Sequence, residues 1–467
     1  MGFLMLFPAC FSLYYGESDL NVLLMSAAIT MSFGIFFIFV SRKSKNAEIK
    51  KRDGYLIVTG GWVSMAIFGT LPYLIGGYIP EISSAFFETM SGLSTTGATI
   101  LDDIESLPHG ILFWRSMTQW IGGMGIIVLT IAVLPLLGIG GMELFIAEAP
   151  GPTKDKIHPR IKETAKRLWV IYLVLTVLET IALMLSGMNF FDAINHSLTT
   201  NSTGGFSTKQ GSIEAFDSPL IEFVIMIFMF IAGTNFTLIY FGFKGKFSNV
   251  LHNDEFKWYL GAVLGLILFL TPVIYYETGV SLLESLRDVS FQVVSTITTT
   301  GYASADFTTW GSLATFIFFL LLFSGASAGS TSGGIKIVRI VILIKNGFLE
   351  FKKRLHPNAV IPVYLNKKAI PSQIIYNLLA FIFLYLFVFV VGSVIMTALG
   401  ESFEVAISSV ATCLGNVGPG IAEIGPSHTF SSISPAGKWL LSFLMLFGRL
   451  ELFTVALLFT PYYWRRN

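Results

Sequence analysis

Ser94-Thr95-Thr96-Gly97-Ala98-Thr99 is a short polar stretch with one glycine inside a strongly apolar region. Similar stretches recur roughly every 100 residues, at Asn201-Ser202-Thr203-Gly204-Gly205-Phe206, Thr298-Thr299-Thr300-Gly301-Tyr302 and Leu414-Gly415-Asn416-Val417-Gly418-Pro419-Gly420. Glycine permits backbone dihedrals that other residues resist, and rings of backbone carbonyls can replace the water around a dehydrated cation. The recurrence therefore predicts four copies of one structural unit around one hole.

The composition places this repeat in a membrane. Of the 467 residues 53% are hydrophobic and only 13% are charged, about half the charge of an ordinary soluble domain. The apolar residues form runs long enough to span a bilayer. The two cysteines and six histidines show no metal-ligand spacing, so no transition-metal site is expected.

The predicted fold class is an all-α integral membrane protein with four parallel span–half-helix–span repeats around one pore. Two extra spans, near 3–16 and 20–41, precede the repeats. The half-spans are predicted at Ser83–Ser94, Phe190–Thr200, Leu282–Thr298 and Ser402–Cys413. Twelve helical residues reach roughly 18 Å, too short for a core of about 30 Å. Each half-span must therefore enter and leave by the same face, and its dipole favours a cation at its inner end.

The domain boundaries follow from this repeat. An N-terminal helix pair covers 1–53, and the four units cover 54–166, 167–256, 257–372 and 373–467. Basic residues crowd into alternate linkers, Arg42–Arg52, Lys154–Arg167, Lys244–Lys257, Lys336–Lys368 and Arg465-Arg466, whereas Asp102-Asp103-Ile104-Glu105 lies in an acidic linker. The positive-inside rule places the basic linkers and the C-terminus in the cytoplasm. The loop Phe348–Ser372 is either a solvated or lipid-contacting surface or a docking surface for a cytoplasmic partner.

The third unit contains an apolar run from Trp310 to Lys345 that is too long for one span. Small residues interrupt it between Gly325 and Gly334. They form either a tight helix-packing face or a loop that crosses the pathway and gates it, with Lys336 setting the inner end of the loop.

Arg449 lies near the middle of the last apolar run, Ala436–Tyr462. A charge at that depth faces a cavity or a partner. It is either paired with a buried carboxylate or a positive barrier to cation flow; Glu451, two residues away, is expected to face elsewhere on the helix. Gln119 and Asn235 either line the cavity or form structural hydrogen bonds.

Several motifs resemble the superfamily of Trk, Ktr and HKT potassium transport proteins, and most closely its TrkH branch, the bacterial pore-forming subunits. These are the four glycine stretches, the extra N-terminal span pair, Leu137-Gly138-Ile139-Gly140-Gly141-Met142-Glu143 with Pro150-Gly151-Pro152, Gly329-Ser330-Thr331-Ser332-Gly333-Gly334-Ile335-Lys336, and Phe447-Gly448-Arg449-Leu450-Glu451. The resemblance covers essentially the whole chain, which departs from the family only in its short first span.

The resemblance implies that one glycine per unit forms a K⁺ filter, and the matching positions are Gly97, Gly204, Gly301 and Gly418. The filter set is then Thr95, Thr96, Gly97, Ser202, Thr203, Gly204, Thr299, Thr300, Gly301, Asn416, Val417 and Gly418. The expected gate set is Gly325, Gly329, Ser330, Gly333, Gly334, Lys336 and Arg449.

The resemblance also implies a homodimer in the bacterial inner membrane and a cytoplasmic TrkA-like nucleotide-binding regulator. No nucleic-acid partner, cofactor or enzymatic activity is expected. This chain lacks the phosphate-binding G-x-x-x-x-G-K-[ST] loop, so the nucleotide would bind the regulator. The alternative is a carrier that couples K⁺ to H⁺ or Na⁺. Carriers use membrane-buried acids, and the acidic residues here lie mostly at the outer edges. An intramembrane enzyme is disfavoured because the H-E-x-x-H zinc pattern is missing.

Overall fold

The computed structural model describes residues 1–41, 51–128, 157–359 and 361–465. The motifs at 137–143 and 150–152 and parts of four basic linkers lie outside these residues. The chain begins with α1 (Leu6–Tyr15) and α2 (Leu20–Ser41). With 10 residues, α1 is shorter than the span that the sequence predicted near 3–16.

Four units follow the N-terminal pair. The first contains α3 (Lys51–Gly69), α4 (Leu71–Ile75), α5 (Ile82–Leu93) and α6 (His109–Val128). The second contains α7 (Ile157–Leu185), α8 (Phe190–Asn201), α9 (Pro219–Ala232), α10 (Phe236–Phe243) and α11 (Phe247–Leu251). The third contains α12 (Asp254–Thr278), α13 (Leu282–Ile297), α14 (Ser312–Leu321), β1 (Ser324–Gly325), β2 (Ile335–Lys336) and α15 (Ile337–Leu355). The fourth follows the hairpin β3 (Val363–Leu365) and β4 (Lys368–Ile370), and contains α16 (Ser372–Ala398), α17 (Phe403–Gly415), α18 (Pro435–Arg449), α19 (Leu452–Ala456) and α20 (Pro461–Trp464).

Five of the described helices are long and apolar enough to cross a membrane, or seven if two bent helix pairs each count as one span. The half-helices α5, α8, α13 and α17 are too short to cross and match the four predicted half-spans to within two residues at each end. The predicted fold class is confirmed. We call the side at which the half-helices begin the mouth side, and the opposite side the far side.

Short polar residues start three of the half-helices. The side chains of Asn189, Ser281 and Ser402 each accept a hydrogen bond from a backbone N–H in the first turn, as preferred N-cap residues do. The last ten residues of α8 include only one that is not buried. A helix enclosed by protein on all sides has no lipid-facing stripe, so α8 lies inside the bundle.

In three units, the span that follows the half-helix is broken within the apolar region. The α9–α10 pair bends by 108° and the α18–α19 pair by 118°, and the third unit is interrupted between Leu321 and Ile337, where β1 and β2 pair in parallel. The sequence predicted only the third of these breaks. Irregular backbone at this depth is tolerated where protein or a cavity covers it, and the three breaks lie together beneath the half-helices, as the contacts below show.

Candidate functional site: a ring of four glycine stretches

The four glycine stretches follow the same backbone path directly after the half-helices. In each, one non-glycine residue adopts the left-handed conformation, with φ between 54° and 57°: Thr95, Thr203, Thr299 and Asn416. Two positions later comes a glycine with positive φ: Gly97, Gly205, Gly301 and Gly418. Non-glycine residues seldom adopt this conformation, and its recurrence in all four stretches identifies them as copies of one local structure.

This path corrects the sequence-based match in the second unit. The residue before each positive-φ glycine donates its N–H to the carbonyl five residues earlier in the half-helix, at 2.8–3.0 Å: Thr96 to Ser91, Gly204 to Thr199, Thr300 to Ser295 and Val417 to Thr412. Gly204 therefore occupies the position of Thr96. The glycine equivalent to Gly97 is Gly205, and the second stretch is Thr203-Gly204-Gly205 rather than Ser202-Thr203-Gly204.

The four stretches meet in a closed ring. A Cβ atom added to one glycine of each unit would lie under 3.0 Å from a carbonyl oxygen of the next unit: Gly97 from Gly204, Gly205 from Thr300, Gly301 from Val417, and Gly418 from Thr96. Real Cβ atoms do not come this close, so only glycine fits at these four positions. The fourth unit faces the first, which closes the ring around a common centre.

A small cavity of about 60 Å³ opens above this ring on the mouth side. All four positive-φ glycines line it, together with the charged or titratable residues Arg115, Lys209 and His428. The ammonium of Lys209 lies 3.4 Å from the carboxylate of Glu105, which belongs to the acidic linker of the first unit. The ring is thus open to the mouth side through a narrow, polar space.

Gln119 clamps the backbone of the second stretch. Its amide nitrogen donates to the Gly204 carbonyl at 2.6 Å, and its amide oxygen accepts from the Phe206 N–H at 3.0 Å. A Cβ on Gly204 would lie under 3.0 Å from this amide. Of the two roles considered for Gln119, the structure shows the hydrogen-bonding one. The close approach of the Gln119 amide explains why position 204, as well as position 205, is a glycine.

A buried ion pair supports the mouth side of the first two stretches. Arg115 donates to Glu88 at 2.7 Å and to the Ser207 carbonyl at 2.8 Å, and its guanidinium lies 3.7 Å from the centre of the Phe206 ring. Glu88 also accepts from the Ile100 N–H at 3.0 Å. Both partners are at most 2% exposed. This pair is not among the contacts predicted from the sequence, although a Glu inside a half-span is a signal that a cation must lie nearby.

The interrupted segment of the third unit lies directly beneath the ring, on the far side. The Gly333 N–H donates to the Thr299 hydroxyl at 2.7 Å, and a Cβ on Gly333 would lie under 3.0 Å from the Gly415 carbonyl. The Thr331 hydroxyl donates to the carbonyl of Asn201 at 3.0 Å. Residues 324–336 therefore form a loop that touches the ends of three half-helices, and we call it the intramembrane loop.

Arg449 holds the intramembrane loop from the fourth unit. Its guanidinium donates to the Thr331 carbonyl at 2.8 Å and to the Gly122 carbonyl of α6 at 3.2 Å. Arg449 is 3% exposed and ends α18 at the sharp bend. The alternative, a pair with a buried carboxylate, is not seen among the described residues, and Glu451 instead binds Arg339 at 2.5 Å.

The predicted gate residues lie on or beside this loop. The Lys336 ammonium folds back and donates to the Ser332 carbonyl and to the Gly333 carbonyl. A Cβ on Gly325 would contact the Gly333 carbonyl, and one on Gly334 would contact the Ser324 carbonyl. The hydroxyl of Ser330 donates to the Ser327 carbonyl at 2.6 Å. These contacts hold the loop in a compact form.

Asn235 and His196 form structural hydrogen bonds. Asn235 caps α10 by accepting from the Thr237 N–H at 2.8 Å, and the next residue, Phe236, donates its N–H to the Gly329 carbonyl of the loop. This bond between Phe236 and Gly329 joins the bend of the second unit to the intramembrane loop. His196 donates from Nδ1 to the Asp192 carbonyl, which leaves Nε2 to accept from the Ser207 hydroxyl at 3.0 Å.

Comparison with known proteins agrees with this geometry. The family model TrkH, described as a cation transport protein, matches residues 22–257 and 278–466. The Trk system potassium uptake protein TrkH of Escherichia coli is 42% identical over 466 residues, covering 99% of this chain and 96% of that protein. TrkH of Halomonas elongata is 38% identical over 98% of this chain and 95% of its own length. The crystal structure of the potassium transporter TrkH from Vibrio parahaemolyticus matches with a TM-score of 0.91 at 37% identity, covering 99% of this chain and 96% of that one. The chain belongs to the TrkH family of cation transport proteins.

Proposed function

We propose that this chain takes up K⁺ across the bacterial inner membrane, as the pore-forming subunit of a Trk-type system. The observation that carries this proposal is the closed ring, in which each glycine faces a carbonyl oxygen of the next unit. Such oxygens can replace the hydration shell of a cation. The half-helices also end at the ring, so the negative ends of four dipoles point toward its centre.

The filter residues are Thr95–Gly97, Thr203–Gly205, Thr299–Gly301 and Asn416–Gly418. The four copies differ in side chain, and one carbonyl, that of Gly204, already accepts a hydrogen bond from Gln119. We therefore expect fewer well-formed ion sites than in a filter built from four identical chains. The names of the relatives support K⁺ as the transported ion.

The intramembrane loop and Arg449 obstruct the pathway below the filter. A positive charge in a low-dielectric channel repels cations, and the loop contacts three half-helix ends. Because both lie on the far side, which the charge pattern assigns to the cytoplasm, the gate opens from inside. A homodimer and a TrkA-like nucleotide-binding regulator docked on the basic cytoplasmic loops complete the proposed system.

A coupled carrier is the second candidate, favoured by one observation. Glu179 is a fully buried acid within the span Ala165–Leu185, and carriers use such acids to relay protons. This acid is an exception to the expectation that acidic residues lie at the outer edges. A channel and a carrier differ in whether an imposed pH gradient alone drives K⁺ against its own gradient.

The test is cation flux in proteoliposomes, with K⁺, Rb⁺, Na⁺ and the pH gradient varied separately. We expect K⁺ and Rb⁺ to pass in preference to Na⁺, without uphill K⁺ movement driven by the pH gradient. Gly418→Ser should reduce the K⁺ preference, since the new side chain meets the Thr96 carbonyl. Gly261→Ser is the control, because a Cβ on Gly261 of α12 meets nothing within 4 Å. An unchanged ion preference in Gly418→Ser would contradict the filter assignment.

A further inference from the structure

Glu179 is an acid buried in the membrane region, and no described residue supplies it with a cationic partner. It lies on α7, its side chain is 0% exposed, and in the part of the chain that the structure describes it forms no ion pair. Among the described residues, the titratable groups that face Glu179 are the phenols of Tyr172 and Tyr302. Placing an unpaired carboxylate in such surroundings is very costly, so the charge of Glu179 must be neutralised.

The amide of Asn201 lies against this acid in a fixed orientation. Its nitrogen donates to Oε2 of Glu179 at 2.6 Å and to the Ser197 carbonyl at 2.9 Å. Exchanging the amide nitrogen and oxygen of Asn201 by a 180° flip would place the oxygen against two other acceptors. The two hydrogen bonds therefore determine the orientation of the amide. The amide oxygen of Asn201 is consequently on the side away from Ser197.

Two acceptors are left without a donor where the groups meet. Oε1 of Glu179 and Oδ1 of Asn201 are both buried, and within the described ranges neither has a hydrogen-bond partner. The hydroxyl of Thr200 also lies beside the Glu179 carboxyl, but it donates to the His196 carbonyl at 2.7 Å. Buried polar atoms nearly always have partners. One proton on Oε1 would satisfy both atoms, because the acid O–H donates to Oδ1 while the amide N–H donates to Oε2. The same proton removes the charge.

We propose that Glu179 is a proton-binding site, protonated on Oε1 and paired with Asn201 as a neutral acid–amide dimer. No bond other than the O–H bond is made or broken, and the proton comes from water during folding. The pair ties α7 to the last residue of the half-helix α8. The carbonyl of that residue, Asn201, accepts from Thr331 of the intramembrane loop at 3.0 Å. Glu179 is thus a positioning residue for the second filter stretch and for the loop beneath it.

The inference can be tested without reference to the transported ion. Infrared spectra of the full chain in lipid vesicles, in H₂O and D₂O, should contain a protonated-carboxyl C=O band that is lost in Glu179→Gln. Finding that this substitution removes only ionised-carboxylate bands would overturn the proposal. The measurement decides the matter even if the protein moves no K⁺, so failure of the proposed function and failure of this inference are distinguishable.

Flux supplies an independent readout. A glutamine can reproduce both hydrogen bonds, with its amide nitrogen donating to Oδ1 of Asn201 and its oxygen accepting from Nδ2. Glu179→Gln should therefore fold and keep flux and ion preference within about twofold of the parent, as expected when both partners of a hydrogen bond are retained. Glu179→Leu loses both bonds and should show a lower thermal midpoint and a weaker K⁺ preference. Loss of flux or of folding in Glu179→Gln would mean that an ionised Glu179 is needed, and would refute the proposal.

Discussion

The guanidinium of Arg449 donates to the carbonyl of Thr331, across 118 residues of sequence, at 2.8 Å. This bond joins the bent last span to the middle of the intramembrane loop. The same guanidinium reaches the Gly122 carbonyl of the first unit. One side chain therefore connects the fourth unit to the first and third, immediately below the ring of glycines.

Replacing Arg449 with alanine should raise the basal K⁺ flux, because it removes both the positive charge and the hydrogen bond that holds the loop. A deletion within residues 325–334 should act in the same direction. Proteoliposome flux without any regulator measures the effect. Arg354→Ala, at an exposed position of α15, is the matched control and should leave flux unchanged. A fall in flux in an Arg449→Ala protein that is still folded would contradict the barrier role.

The one-residue correction in the second stretch can be tested with double variants. The three atoms nearest to a Cβ on Gly204 all belong to the Gln119 side chain, whereas the two nearest to a Cβ on Gly205 belong to the Thr300 backbone. In a Gln119→Ala background, Gly204→Ala should therefore add little further loss of K⁺ preference, while Gly205→Ala should add its full effect. Such non-additivity marks residues in direct contact. Equal behaviour of the two glycines would argue against Gly205 as the filter position.

The Glu88–Arg115 pair is expected to stabilise the mouth side of the filter. Glu88→Gln leaves a buried guanidinium without its counter-charge, and breaking a buried pair in this way costs about 3–5 kcal/mol. The thermal midpoint in detergent should fall, and K⁺ preference should fall with it, because Glu88 also binds the Ile100 N–H after the first stretch. Replacing both residues, Glu88→Gln with Arg115→Met, should destabilise the protein less than the single change. A single variant as stable as the parent would show that the pair contributes little.

A pH-dependent contribution to stability is expected from Glu81, which precedes α5 on the mouth side. The hydroxyls of Ser84 and Ser83 donate to its carboxylate at 2.5 and 2.8 Å, and they hold the pKa of Glu81 below its usual range. A carboxyl group whose pKa is lower in the folded protein than in the unfolded protein stabilises the fold at pH values above its unfolded-state pKa. This stabilisation is lost as the pH falls through the folded-state pKa.

Glu81→Gln should accordingly lower the thermal midpoint at neutral pH and make no difference at a pH below the folded pKa of Glu81. Glu423→Gln, at an exposed position, is the matched control for the loss of one acidic side chain. A deficit in Glu81→Gln that persists unchanged at acid pH would show that the effect is not due to ionisation.

The half-helices could be predicted from the sequence because their physical signal is simple. Each is too short to cross the bilayer and ends at a glycine stretch, and three of the four start at a capping residue such as Asn189 or Ser402. The interruption in the third unit was equally visible, since the apolar run Trp310–Lys345 exceeds one span and contains a cluster of small residues.

Other features had no such signal. The choice between Gly204 and Gly205 depends on where α8 ends and on the left-handed Thr203, and neither is encoded by the adjacent glycines alone. The bend after Arg449 has no proline, and its residue with positive φ is Glu451, at 60°. Long-range contacts, Glu451 with Arg339 and Arg449 with Thr331, stabilise that bend, and a local pattern does not reveal them.

The closed ring has a consequence for how such a conduit can change over evolutionary time. In an assembly of four identical chains, one codon alters four equivalent positions at once. In this chain each unit of the ring is encoded separately, and a side chain added at Gly205 first meets the third unit, at Thr300. If the ring selects ions as proposed, mutation can alter one unit at a time, and one unit can acquire its own support, as the second has with Gln119, while the other three stay unchanged.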